Sequence, residues 1–182
     1  MAVQNKSSQI ITDLDASPVV KTNQLERGAA LRSAIAHLSL TAAEVDGDAG
    51  SVWRMLRIPA RARVERLEII NDDLEGATPT LTVNIGLYEV DGGAAKDADF
   101  FASAVDTLQG ATTSFQDLTY ESGAGVLDLP KYVQALWEQL GDADTPENRG
   151  KEYDIAFTVA NAAGSNPQAG DIVMRATYAL FE

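Results

Sequence analysis

The clearest pattern along the chain is an alternation. In "TLTVNIGLYEV" Leu81, Val83, Ile85 and Leu87 fall on one face, and Thr80, Thr82, Asn84 and Gly86 on the other. That is the period of two expected of a half-buried β-strand. "EYDIAFTVA" repeats it with Tyr153, Ile155, Phe157 and Val159, and "DIVMRATYALF" with Ile172, Met174, Ala176, Tyr178 and Leu180. Further strands are predicted in "SVWRMLRI", in "RVERLEII" and in "AIAHLSL", where Ile35 and His37 share one face. Turn-rich segments separate them: "DGDAG", the Pro59–Ala60 break, "NDDLEGATP" and "NAAGSNPQAG".

The period changes between about 91 and 150. "DGGAAKDADFFASAVDTL" reads as a loop with a short helix, contacting the core through Phe100, Phe101 and Val105. "VLDLPKYVQALWEQLG" reads as a helix. Leu129, Val133, Leu136, Trp137 and Leu140 recur at helical spacing, Pro130 suits a first turn and Gly141 a C-terminal end. "DADTPENRG" reads as an exposed loop. Residues 1–33 are polar, with scattered apolar pairs at Ile10–Ile11 and Val19–Val20. Pro18 interrupts any helix there, and Gly28 weakens the next one. This segment reads as an extended N-terminal arm that gains order against a partner. The predicted organisation is therefore an arm over 1–33 and one domain over 34–182, with a helical insertion at about 91–150. The fold class is mainly β: a β-sandwich or jelly-roll-like domain with one or two short inserted helices.

Composition narrows the function. The 182 residues contain no cysteine, which removes a disulfide framework, a thiol nucleophile and cysteine metal sites. No apolar run approaches the ~18 residues of a membrane span. The first twenty residues lack the apolar stretch of a secretory signal. The expectation is a soluble protein made in a cytoplasm, with no membrane partner. The formal net charge is −13, unevenly spread. Residues 1–63 hold eight Lys/Arg and six Asp/Glu, whereas residues 64–182 hold six and twenty-one. The two portions are expected to face different surroundings.

Candidate chemistry is sparse. His37 is the single histidine, and no Gly-x-Ser-x-Gly elbow exists to join it in a triad. "SGAG" at 122–125 lacks the lysine of a phosphate loop. "DGDAG" would begin a calcium loop with Asp46 and Asp48. Its twelfth position would then be Arg57, where a bidentate glutamate is needed. The acidic turns at Asp72, Asp73 and Glu75, and at Asp142 and Asp144, read as hydrated loops. Trp53 and Trp137 read as core. No catalytic group, cofactor, metal or small-molecule substrate is expected.

One stretch stands apart. "RIPARARVER" gathers Arg57, Arg61, Arg63 and Arg66 in an acidic chain. Three uses are open: pairing with the protein's own acids, docking on an acidic neighbouring subunit, or binding nucleic acid. No aromatic lies between Arg57 and Arg66, and Glu65 and Glu68 sit beside them, which disfavours nucleic acid. Arg66 is expected to pair within its own sheet. Arg57, Arg61 and Arg63 flank the Pro59 break and are candidate interface residues. Ile10, Ile11, Val19 and Val20 of the arm are candidates too.

Residues 56–89, "LRIPARARVERLEIINDDLEGATPTLTVNIGLYE", resemble a unit of small virion proteins from tailed bacteriophages. That unit has an "[IL]P-x-x-A-[RK]-V" turn and then an "N-D-x-L-G-A-T-x-T-L-x-V-G" hairpin. The matching residues are Ile58, Pro59, Ala62, Arg63, Val64, Asn71, Asp72, Leu74, Gly76, Ala77, Thr78, Thr80, Leu81, Val83 and Gly86. The ending "EYDIAFTVANAAGSNPQAGDIVMRATYAL" resembles the same proteins. Glu75, inserted before Gly76, and the 91–150 insertion depart from the pattern.

The resemblance implies a non-enzymatic structural protein of the head decoration or cement type, with a β-rich fold and no catalytic residues. It implies a place on the capsid surface of a virion, and bridging of capsid subunits. The partners implied are the major capsid protein and copies of the chain itself, as a homotrimer. Many copies on a lattice would supply the affinity that one small interface lacks. The rival reading is a lectin-like binding module, or a fibre or connector component contacting a host glycan or another virion protein. Trp53 or Trp137 exposed beside acidic turns would mark it. A hydrolase would need a concave, carboxylate-lined pocket.

Overall fold

In a computed structural model of the chain, residues 30–76, 78–119, 133–164 and 166–180 are described. Ile10, Ile11, Val19 and Val20 lie outside them, as do Leu129 and Pro130 of the expected helix. Eight strands form two antiparallel four-stranded sheets. The first sheet contains β1 (Leu31–Leu40), β8 (Gly170–Leu180), β3 (Ala62–Asn71) and β6 (Gln116–Asp117), in that spatial order. The second contains β2 (Val52–Pro59), β7 (Glu152–Asn161), β4 (Thr82–Glu89) and β5 (Ala95–Val105). Consecutive strands alternate between the sheets at every connection except β4 to β5, and the step from β2 to β3 falls at the Pro59 break.

The core lies between the sheets, as the alternation requires. Leu81, Val83, Ile85 and Leu87 are fully buried beside Tyr153, Ile155, Phe157 and Val159 of β7. On β8, Ile172, Met174 and Ala176 are buried and Tyr178 is partly buried against the core opposite Val64, while Ala179 beside it is buried as well. The partner strand β3 is bulged between Val64 and Arg66, opposite Thr177–Tyr178.

On β1, Ile35 and His37 do share a face, and it is the outer one, where Ile35 is 66% exposed. The side turned to the core carries Ala34, Ala36 and Leu38 instead. The segment 91–108, read as a loop with a short helix, forms β5. Its register against β4 shifts three times, so Ile85 faces Ala102 while Leu87 faces Asp97. Those slips erased the alternation that would have announced a strand. Gly86 lies beneath this strand, where a Cβ would sit 2.2 Å from the Asp97 carbonyl oxygen. The helix expected over 126–141 is a single turn in the described part. Ala135 has extended backbone (ψ 157°), which stops the helix from running back to Val133, itself 44% exposed.

The described helices are all short: α1 (Ala42–Val45), α2 (Leu136–Gln139) and α3 (Pro146–Gly150). α1 starts in a capping box between Thr41 and Glu44. α3 occupies the stretch read as an exposed loop, with Thr145 capping Asn148 N–H and Pro146 opening the turn.

Candidate interface

The arginine stretch is built by strand register. β2 runs antiparallel to β7 with Arg57 directly opposite Asp154. Leu56 and Ile58 point into the core, so Arg57 and Asp154 share the outer face. Arg57 Nε donates to Asp154 Oδ1 at 2.7 Å, and Arg54 Nη1 donates to Oδ2 at 3.1 Å. Arg54 also donates to the carbonyls of Glu89 (2.9 Å) and Gly93 (2.7 Å) and lies over the Tyr88 ring. The two guanidiniums cover Asp154, which is buried although it faces away from the core. The bond to Asp154 holds the Arg57 guanidinium above its ordinary proton affinity.

The turn after Pro59 is pinned from both sides. Ala60 N–H donates to the Lys151 carbonyl at 2.9 Å, and the Ala60 carbonyl accepts from Trp137 N–H at 3.1 Å. Ala60 and Ala62 are fully buried, so the residue between them is forced outward. Arg61 is exposed and has no hydrogen bond or ion pair among the described residues. Arg63 is half-buried and donates from Nε to Glu65 Oε1 at 2.8 Å. Arg66 pairs within its own sheet, as expected: Nε is 3.1 Å from Asp117 Oδ2 and Nη1 is 3.5 Å from Glu68 Oε1. Glu68 is buried and bound on its other side by Arg175 at 2.8 Å, which stacks on Phe115. The four arginines are therefore not one set.

The acidic turns are structural. Glu75 is buried, and its carboxylate accepts from Thr80 N–H (2.7 Å), Leu81 N–H (2.5 Å), Gly164 N–H and the Thr80 hydroxyl (3.4 Å). Burial pushes this carboxyl up, but the hydrogen bonds outweigh it and hold it below the usual glutamate range. Glu75 thus ties the 72–81 loop to the loop before β8. Asp142 accepts from the Tyr153 hydroxyl at 2.7 Å and from Lys96 at 3.1 Å, which hold it below the usual aspartate range. Arg149 pairs with Asp144. No group of three or more His, Cys, Asp and Glu could hold a metal among the described residues.

A serine and an acid do converge on His37. Asp171 Oδ1 is 3.1 Å from His37 Nε2, and Ser39 Oγ is 3.5 Å from that same nitrogen. Ser39 donates instead to Asp171, at 2.5 Å. A relay needs the serine on one ring nitrogen and the acid on the other. Here both meet one nitrogen, on the open surface. Trp53 and Trp137 are both buried, as expected, which removes the exposed aromatic platform that a lectin-like site required. A groove of about 450 Å³ runs between β1 and β2, lined by Leu38, Leu40, Glu44, Val52 and Trp53.

The fold is shared with chains of bacteriophage capsids. One match lies in the capsid asymmetric unit of cyanophage Pam1, with a TM-score of 0.55 and 22% identity over 84% of this chain and 86% of that one. Another lies in the capsid of Ralstonia phage GP4, with a TM-score of 0.58 and 13% identity over 89% of this chain and 92% of that one. No family profile matches the sequence. No curated protein matches it either.

Sequence reasoning missed Asp154, Arg54 and the role of Glu75. The first two depend on which strand lies beside β2, which no local pattern encodes. Glu75 did leave a signal, as the residue inserted into an otherwise matching hairpin motif.

Proposed function

We propose that the chain is a non-enzymatic structural protein of a tailed-phage virion, which decorates or cements the capsid lattice by bridging neighbouring subunits on its surface. The observation that carries this reading is the sandwich shared with two capsid chains over most of their length. The virion-protein motifs at 56–89 and 152–180 support it independently. The partners are the major capsid protein and further copies of this chain, meeting as a closed trimer.

Contact with an acidic capsid neighbour is assigned chiefly to Arg61. The backbone of the adjacent Ala60 is pinned, and the Arg61 guanidinium has no partner among the described residues, so docking breaks no ion pair seen within its own chain. Arg57 and Arg63 already hold carboxylates of their own chain and would have to share them. An exposed ion pair contributes ~0–1 kcal/mol, whereas truncating a desolvated interface pair costs ~2–5 kcal/mol. Repetition over the lattice multiplies either value.

The test is to heat empty capsids of the source phage with and without the purified chain. Cementing raises the temperature at which shells rupture. Shells that bind the chain and rupture at the same temperature would reduce the role to decoration. Shells that bind none of it would remove the reading.

A further inference from the structure

An edge strand presents unpaired N–H and C=O groups to any extended chain, and folded proteins blunt such edges. Three of the four edges here are blunted. β6 has only two residues. β5 slips register three times and carries Lys96, Asp97 and Asp99. β2 is bulged between Arg54 and Leu56 and ends on Pro59. Among the described residues β1 carries one charge, Arg32 near its start, and none of the other devices. Its ten residues pair with β8 in unbroken register, without proline or lysine. Leu31 and Ile35, each 66% exposed, stand on its outer face. Near Leu38 and Leu40 its inner side opens into the groove beside Trp53. A strand added here would meet apolar surface on both of its faces.

That requirement selects an unusual occupant. Strands alternate, so apolar residues on both faces must be adjacent in sequence. The 29 residues before Ala30 contain two adjacent pairs of β-branched apolar residues, Ile10–Ile11 and Val19–Val20. This segment carries three Lys/Arg and three Asp/Glu, so it brings no net repulsion. It joins β1 at Ala30, at the rim of the open edge. Folding back on its own β1 through a tight turn at Gly28–Ala29 would set Glu26 against Leu31 and Thr22 against Ile35, which matches neither apolar residue. A segment from another molecule is free of that register.

We propose that the open edge of β1 is a strand-acceptor site, filled by residues 9–12 of a second copy of this chain through β-augmentation. One of Ile10 and Ile11 lies beside Ile35 on the outer face. The other points toward Ala36, Leu38 and the groove. The assignment concerns the protein alone and stands whether or not it coats a capsid.

The absence of cysteine makes the test clean. Full-length Ile35→Cys is mixed with full-length Ile10→Cys, and separately with Ile11→Cys, under mild oxidation. A disulfide forms only where the Cβ atoms approach within about 4.5 Å. The proposal expects an intermolecular disulfide in one of the two mixtures and its loss in the other, because adjacent residues face opposite ways. Equal yields in both mixtures, or none in either, would overturn it. So would an exclusively intramolecular disulfide in the Ile10→Cys/Ile35→Cys and Ile11→Cys/Ile35→Cys double variants. Ile35→Lys in the full chain is expected to shift the mass by light scattering from oligomer to monomer. An unchanged oligomer mass would also overturn the proposal.

Discussion

Glu75 and Asp154 are buried charges with their oxygens engaged, whereas Arg61 is an exposed charge that engages nothing described. Glu75 is held by backbone N–H groups and Asp154 by two guanidiniums. Both connect segments distant in sequence: Glu75 reaches Gly164, and Asp154 joins β7 to β2. Arg61 connects nothing among the described residues, yet the backbone of its neighbour Ala60 is fixed by Lys151 and Trp137. The difference separates charge that maintains the fold from charge left for a partner. Proximity in sequence does not: Arg57 and Arg61 are four residues apart and fall in different classes.

The largest effect is expected at Glu75. In Glu75→Gln the amide nitrogen would face backbone N–H donors, and one oxygen cannot serve them all. A loss on the order of 3 kcal/mol follows, about 6–12 °C in melting temperature. A melt within 2 °C of wild type would place Glu75 with Arg61 and end the contrast. Asp154→Ala comes next. It strands Arg54 and Arg57, which can still reach water or backbone carbonyls, so a loss of about 2 kcal/mol is expected. Capsid attachment of this variant, below its melting point, should be unchanged.

Acid provides a third, smaller effect. The folded Glu75 carboxyl lies below its unfolded value, so its contribution is complete above that unfolded value and is lost as pH falls through the folded one. Wild-type melting temperature should fall below about pH 4, and the fall should be shallower in Glu75→Gln. Equal slopes would show that Glu75 is not the titrating group. The smallest effect on stability belongs to Arg61→Gln, within ~0.5 kcal/mol of wild type. A larger loss would mean that Arg61 has a partner in its own chain.

The sandwich was legible wherever one face of a strand is buried in regular register, as on β4 and β7. It was illegible where the register breaks. β5 hides its strand character because three slips scatter Phe101 and Ala102 against the alternation. On β1 the strand and the shared face of Ile35 and His37 were legible but the direction of that face was not, since an edge strand can turn Ile35 outward and small alanines inward. Arg66 was placed correctly because its acidic partner Glu68 is nearby in sequence. The division among Arg57, Arg61 and Arg63 was not legible, since Asp154 is brought to Arg57 by strand pairing alone.

The most direct test is co-sedimentation of the wild-type chain and Arg61→Gln with empty capsids of the source phage, at low and high salt. The account predicts that wild type pellets with capsids and is released as salt rises, since screening weakens exposed charge pairs. Arg61→Gln should pellet at least about 30-fold less tightly, the factor for roughly 2 kcal/mol at a desolvated pair. Wild type left in the supernatant at every salt concentration would contradict the virion role, and equal pelleting of the two proteins would contradict the assignment of Arg61.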